Sequence, residues 1–112
     1  MAVNVEFTPE FKRNVRTLSK KYRHIQEDVA PLIVELQNGG LPGDQVKGTG
    51  YTIFKVRVPN RDVRKGKSGG YRLIYYLQTK ANIILITIYS KSEQSDISAT
   101  KIRQIVSEFS EG

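Results

Sequence analysis

A chain of 112 residues, 38% of them hydrophobic, has room for one modest core and no second one, so a single domain over residues 1–112 is expected. Eighteen Lys and Arg against eleven Asp and Glu give a formal charge of +7 and a pI near 9.8, which favours nucleic acid or an acidic protein segment, and less readily a membrane surface, as partner. The absence of Cys excludes disulfides, thiolate catalysis and Cys-based metal sites, and the single histidine, His24, excludes a His-pair metal site and two-histidine ribonuclease chemistry. No run of 18 apolar residues offers a membrane span, and the N-terminus lacks the basic-then-apolar pattern of a secretion signal. A cytoplasmic protein without metal or cofactor is the expectation.

Val3 to Phe7 alternates apolar and polar and predicts a short strand. Thr8-Pro9-Glu10 reads as a helix start, with Thr8 as N-cap, Pro9 in the first helical position and Glu10 complementing the positive helix end. Phe11, Val15, Leu18 and Tyr22 follow with helical spacing, and Lys12, Arg13, Arg16, Lys20 and Lys21 take the remaining surface. A second helix carries Ile25, Val29, Leu32, Ile33 and Leu36. Pro31 requires it either to begin near Asp28 or to kink. Asn38-Gly39-Gly40 ends it, and Leu41-Pro42-Gly43-Asp44 reads as a turn.

The period then changes. Tyr51 to Val58 alternates, with Phe54, Val56 and Val58 on one face and Ile53, Lys55 and Arg57 on the other. Tyr71 to Gln78 is a second strand of this kind. Ile83 to Tyr89, apolar on both faces except at Thr87, predicts a central strand covered on two sides. Ser98 can cap a last helix with Ile102, Ile105, Val106 and Phe109 as its apolar stripe. The order β-α-α-β-β-β-α predicts an α+β fold: a small, antiparallel-dominated sheet with the helix pair on one face and a C-terminal helix.

The chemistry concentrates between Lys55 and Arg72. Seven basic residues (Lys55, Arg57, Arg61, Arg64, Lys65, Lys67 and Arg72) stand there against one acidic residue, Asp62. A solvated polar sheet face would account for some of them, but segregation by sign points to a bound polyanion. Gly66-Lys67-Ser68 suggests a phosphate loop, yet that motif needs a Gly at position 61, which is Arg61; Gly66, Ser68, Gly69 and Gly70 read better as a hairpin connection. His24, at the helix junction, reads as a helix-end residue. Tyr75, Tyr76 and Tyr89 read as packing or sheet-surface residues, one of which could stack a base. Glu93 and Asp96 read as the lead-in to the last helix, with Glu93 kept as a catalytic candidate.

The element order resembles the RelE/ParE toxin superfamily of bacterial toxin–antitoxin systems, and within it the HigB branch. The likeness is carried by Phe54-Lys55-Val56-Arg57, by the block from Gly66 to Tyr76, and by the block from Thr87 to Asp96. It implies a RelE-like fold and a toxin that enters the ribosome and cuts mRNA, with the RNA 2′-OH as nucleophile and no metal. Its partners would be a cognate antitoxin, the ribosome and mRNA, with no membrane, and the free toxin would be a monomer.

On the same resemblance Lys55 and Arg57 match the basic pair of one strand, and Arg72 matches the Arg opening the next; each would bind the scissile phosphate. The family's later catalytic Arg and Tyr fall at Ser92 and Ser98 here. That departure leaves Lys91, Glu93 or Tyr89 as substitutes, and the crowding of cations around Lys55 makes it the expected base. Arg61, Arg64, Lys65, Lys67 and Tyr89 are the expected RNA or ribosome contacts. Two other functions fit the same fold: a ParE-like gyrase poison, and a non-catalytic RNA binder.

Overall fold

The computed structural model describes residues 2–63 and 70–111; Arg64, Lys65, Lys67 and the turn expected around Gly66 lie outside the described residues. The elements are β1 (Asn4–Phe7), α1 (Pro9–Ser19), α2 (Ile25–Gln37), β2 (Asp44–Val46), β3 (Ile53–Val58), β4 (Tyr71–Thr79), β5 (Asn82–Ser90) and α3 (Ala99–Glu111). The five strands form one sheet in the order β1-β5-β4-β3-β2. β1 and β5 run parallel and every other pair is antiparallel. The architecture is therefore the expected α+β one, with β4 in the middle of the sheet and β5 between it and β1.

Each face of the sheet carries its own core. Phe11, Leu18, Ile25, Val29, Leu32 and Leu36 of the helix pair pack on Val58, Tyr71, Leu73, Tyr75, Ile83, Leu85 and Ile88. On the other face α3 lays Ile102, Ile105 and Val106 on Ile53, Ile74, Ile84 and Ile86. The period-two alternation of β3 and β4 is what divides these residues between the faces. Covering on both sides explains why β5 is apolar throughout.

Two elements depart from one reading of the sequence. Of the two alternatives left open for α2, the structure takes the start at Ile25 and not the one near Asp28, so Pro31 sits inside the helix and leaves the Glu27 carbonyl without the usual helical donor. Asp62 makes the early start possible: its carboxylate accepts a hydrogen bond from the His24 backbone N–H at 2.9 Å, at an end where α2 has no side-chain cap of its own. The second difference is β2, a three-residue edge strand in the segment following the expected turn. Gly43 permits it. At φ +96° a Cβ there would lie 2.4 Å from the Lys55 carbonyl oxygen, an approach open only to glycine. Asp-Gln-Val is too short and too polar to show a strand period.

β5 also carries an irregularity that sets the site. Ile74 pairs with Thr87, but the next residue, Tyr75, pairs with Leu85, so Ile86 is an extra residue in β5. Before it, Ile83 and Leu85 face the helix pair and Ile84 and Ile86 face α3. After it Ile88 faces the helix pair, and Tyr89 takes the opposite face. β1 ends its pairing at Leu85, and α1 takes over the edge of β5 beyond that point. Thr8 Oγ1 donates to the Ile86 carbonyl at 2.6 Å, while Asn14 Nδ2 donates to Thr87 Oγ1 at 2.8 Å and to the Ile88 carbonyl at 3.2 Å. Thr8 is at the same time the N-cap of α1, accepting from Phe11 N–H at 3.0 Å.

Candidate phosphate-binding site

Strand register brings together three residues that are distant in sequence. Arg57 lies directly opposite Arg72, and Arg72 directly opposite Tyr89, so one row runs across β3, β4 and β5. Neighbouring backbones in such a row are about 5 Å apart. Lys55 is two residues along β3 from Arg57 and therefore on the same face, beside Ile74. The row lies on the face that carries α3, at the end of the sheet where β4 begins. The bulge is what brings Tyr89 into it.

The segment between β5 and α3 closes one side. Lys55 Nζ donates to Asp96 Oδ1 at 3.2 Å, and the same oxygen accepts from Ile97 N–H at 2.8 Å. Lys91 Nζ donates to the Ser95 carbonyl at 2.6 Å, and Gln94 Nε2 to the Asp96 carbonyl at 2.9 Å. The Ile97 N–H and then Lys55 hold the Asp96 carboxyl below the usual carboxylate range. Tyr89 is buried, and its hydroxyl makes no hydrogen bond among the described residues. Burial, with a contribution from Asp96, pushes the Tyr89 pKa up, and Arg72 opposes the shift. Ser98 caps α3 as expected, its Oγ accepting from Lys101 N–H at 3.1 Å.

Of the residues singled out in the sequence, Lys55, Arg57, Arg72, Tyr89 and Lys91 are thus gathered at one end of the sheet. Arg61 and Glu93 are engaged elsewhere. Arg61 donates from its backbone N–H and Nε to the buried Asp28 carboxylate, at 3.1 and 2.8 Å, and from a terminal nitrogen to Glu27 at 3.3 Å. With the Asp62–His24 pair at 2.8 Å, it ties the chain leaving β3 to the first turn of α2. Glu93 accepts from Lys21 Nζ at 3.2 Å and from the Tyr22 hydroxyl at 3.4 Å, at the end of α1. His24 is a helix-end residue, as its position suggested. Asp96, which the sequence offered only as a helix lead-in, is the carboxylate that meets Lys55. Its lone signal was its place two residues before the cap of α3.

This geometry is that of a small α+β domain presenting cations at one end of the α3-bearing sheet face. Residues 10–110 match the family described as the RelE toxin of the RelE / RelB toxin-antitoxin system, and the chain belongs to that family. It is accordingly a toxin component, with an antitoxin as its partner. Among the described residues, no helix is long and apolar enough to cross a membrane.

Proposed function

We propose that this protein is a ribosome-dependent mRNA endoribonuclease of the HigB-like branch of its family, working in the cytoplasm and held in check by its antitoxin. The observation that carries this reading is the Arg57–Arg72 cross-strand pair with Lys55 beside it. Like charges directly opposite each other weaken a sheet. A phosphate between them reverses the sign of that interaction.

Cleavage needs no protein nucleophile. The ribose 2′-oxygen attacks the adjacent phosphorus, a 2′,3′-cyclic phosphate forms, and the 5′-oxygen leaves. Lys55, Arg57 and Arg72 neutralise the charge that accumulates on the phosphorane, worth roughly 2.7–4 kcal/mol per well-placed donor. Tyr89 supplies an aromatic wall beside Arg72, and the ribosome supplies the in-line geometry of the strand. Free RNA is therefore a poor substrate.

The test is primer extension on a reporter mRNA in a translation extract, with and without purified protein, and on the same RNA without ribosomes. Cuts confined to translated RNA are expected. Their absence, with a folded protein, would overturn the reading.

A further inference from the structure

Lys55 was the residue expected to take the 2′-OH proton because cations crowd it, yet the charged group it meets is a carboxylate. The reaction still requires a proton acceptor next to the phosphate. Glu93 is engaged with Lys21 and Tyr22. Asp96 is one hydrogen bond from the Lys55 ammonium, and a phosphate seated on that ammonium places its neighbouring ribose 2′-OH at the same distance scale. The Lys55 and Ile97 hydrogen bonds to the Asp96 carboxylate both fall on Oδ1, and the Tyr89 hydroxyl lies close to the same carboxylate.

Asp96 sits at the end of a short segment fixed by Lys91 to the Ser95 carbonyl and by Gln94 to the Asp96 carbonyl, so the carboxylate is held rather than swinging. The charged and titratable groups around it are Lys55 from β3, Lys91 from the end of β5, and Tyr89 with Arg72 behind it. The Ile97 N–H, then Lys55 and Lys91, favour its ionised form.

We propose that Asp96 is the general base of the cleavage reaction, receiving the 2′-OH proton while Lys55 holds the scissile phosphate. The proposal rests on the endoribonuclease reading above. The O2′–H proton passes to Asp96 as the O2′–P bond forms. The P–O5′ bond breaks, and O5′ takes a proton from solvent. Solvent then returns Asp96 to its starting state.

The experiment measures single-turnover cutting of mRNA on programmed ribosomes by the full chain, by Asp96→Asn and by Asp96→Ala, with folding of each checked by thermal melting. Asp96→Asn is expected to lower the saturating rate at least ~100-fold with little change in the half-saturating toxin concentration. Formate added to Asp96→Ala should restore part of the rate, because a free carboxylate can take a proton but cannot reposition Lys55. Loss without formate rescue would make Asp96 a positioning residue for Lys55 and overturn the proposal. Undiminished or faster cutting with tighter ribosome binding would show that Asp96 only occupies the anion position of the free protein. No cutting by the unsubstituted chain would remove the endoribonuclease reading itself and the proposal with it.

Discussion

Arg57 and Arg72 oppose each other directly across β3 and β4, a like-charge pair at the end of the sheet where β4 begins. Among the described residues neither guanidinium reaches a carboxylate; Arg72 donates only to the Tyr71 carbonyl, at 3.3 Å. Arg57→Thr should therefore stabilise the protein, by about 0.5 kcal/mol from the removed repulsion. That corresponds to a rise of roughly 2–4 °C in melting temperature. The same variant should cut translated mRNA more slowly. A lowered melting temperature would show that the pair is neutralised within the free protein.

Arg72→Ala separates function from fold in the same way. Its neighbours Tyr71 and Leu73 are buried under the helix pair, and Arg72 itself is half-buried on the opposite face. Growth arrest on expression should be lost, with cutting down by ~10²–10³-fold and the melting temperature nearly unchanged. Full toxicity from a folded Arg72→Ala protein would place the phosphate elsewhere.

Arg61 belongs to a different account. Asp28 is buried and takes one hydrogen bond from the Arg61 backbone N–H and one from its Nε, so Arg61→Ala keeps the first but leaves the carboxylate without its cation. The expected result is a loss of about 2 kcal/mol of stability, measured by urea unfolding. The salt dependence of ribosome binding should stay as it was. A shallower salt slope with unchanged stability would instead make Arg61 a phosphate contact.

Asn14 stands outside the cationic row but holds the bulge, donating to Thr87 Oγ1 and to the Ile88 carbonyl. Asn14→Ala leaves that carbonyl without this donor and should cost about 1–2 kcal/mol. Hydrogen exchange should quicken at residues 86–89 before it does elsewhere in β5, and cutting should fall with it. Uniform exchange along β5 would contradict the role given to α1.

Burial raises the pKa of Tyr71, Tyr75 and Tyr89 above the ordinary tyrosine value of 10.0. Their neutral form is favoured in the folded state, so this stability is fully present below pH 10 and is lost as pH rises above it, where the unfolded chain ionises first. The melting temperature should fall between about pH 10 and 12. Tyr71 makes no hydrogen bond through its hydroxyl among the described residues. Tyr71→Phe should thus be neutral or stabilising at pH 7 and should lessen the alkaline loss. An unchanged alkaline slope would locate the effect in the other two tyrosines.

The parts of this molecule legible in its sequence are those fixed by local period and local caps. Lys55, Arg57 and Arg72 could be assigned to one surface because strand alternation is a property of neighbouring residues. Thr8 and Ser98 could be assigned as caps because the donors they serve lie three residues away. The missing parts depend on contacts far apart in the chain. The Asp62–His24 and Arg61–Asp28 pairs join residues 38 and 33 positions apart and move the start of α2. Lys55 finds Asp96 at a separation of 41, and Lys21 draws Glu93 away at a separation of 72. No sequence period reports such pairings. β2 was hidden for a different reason, being a strand that exists because Gly43 can touch the backbone of Lys55.

The extra residue in β5 gives the strand two opposite parities. Ahead of it odd positions such as Ile83 and Leu85 line the interior beneath the helix pair; behind it the even positions Ile88 and Ser90 do so, and the odd position 89 is left for the site. Loss of one residue between Ile83 and Ile86 would remove the bulge and leave Ile88 and Tyr89 on their present faces, whereas a further inserted residue would send a tyrosine into the helix-packed core and an isoleucine to the cationic row. Over evolutionary time β5 can therefore shed its extra residue without displacing the site, but cannot gain another.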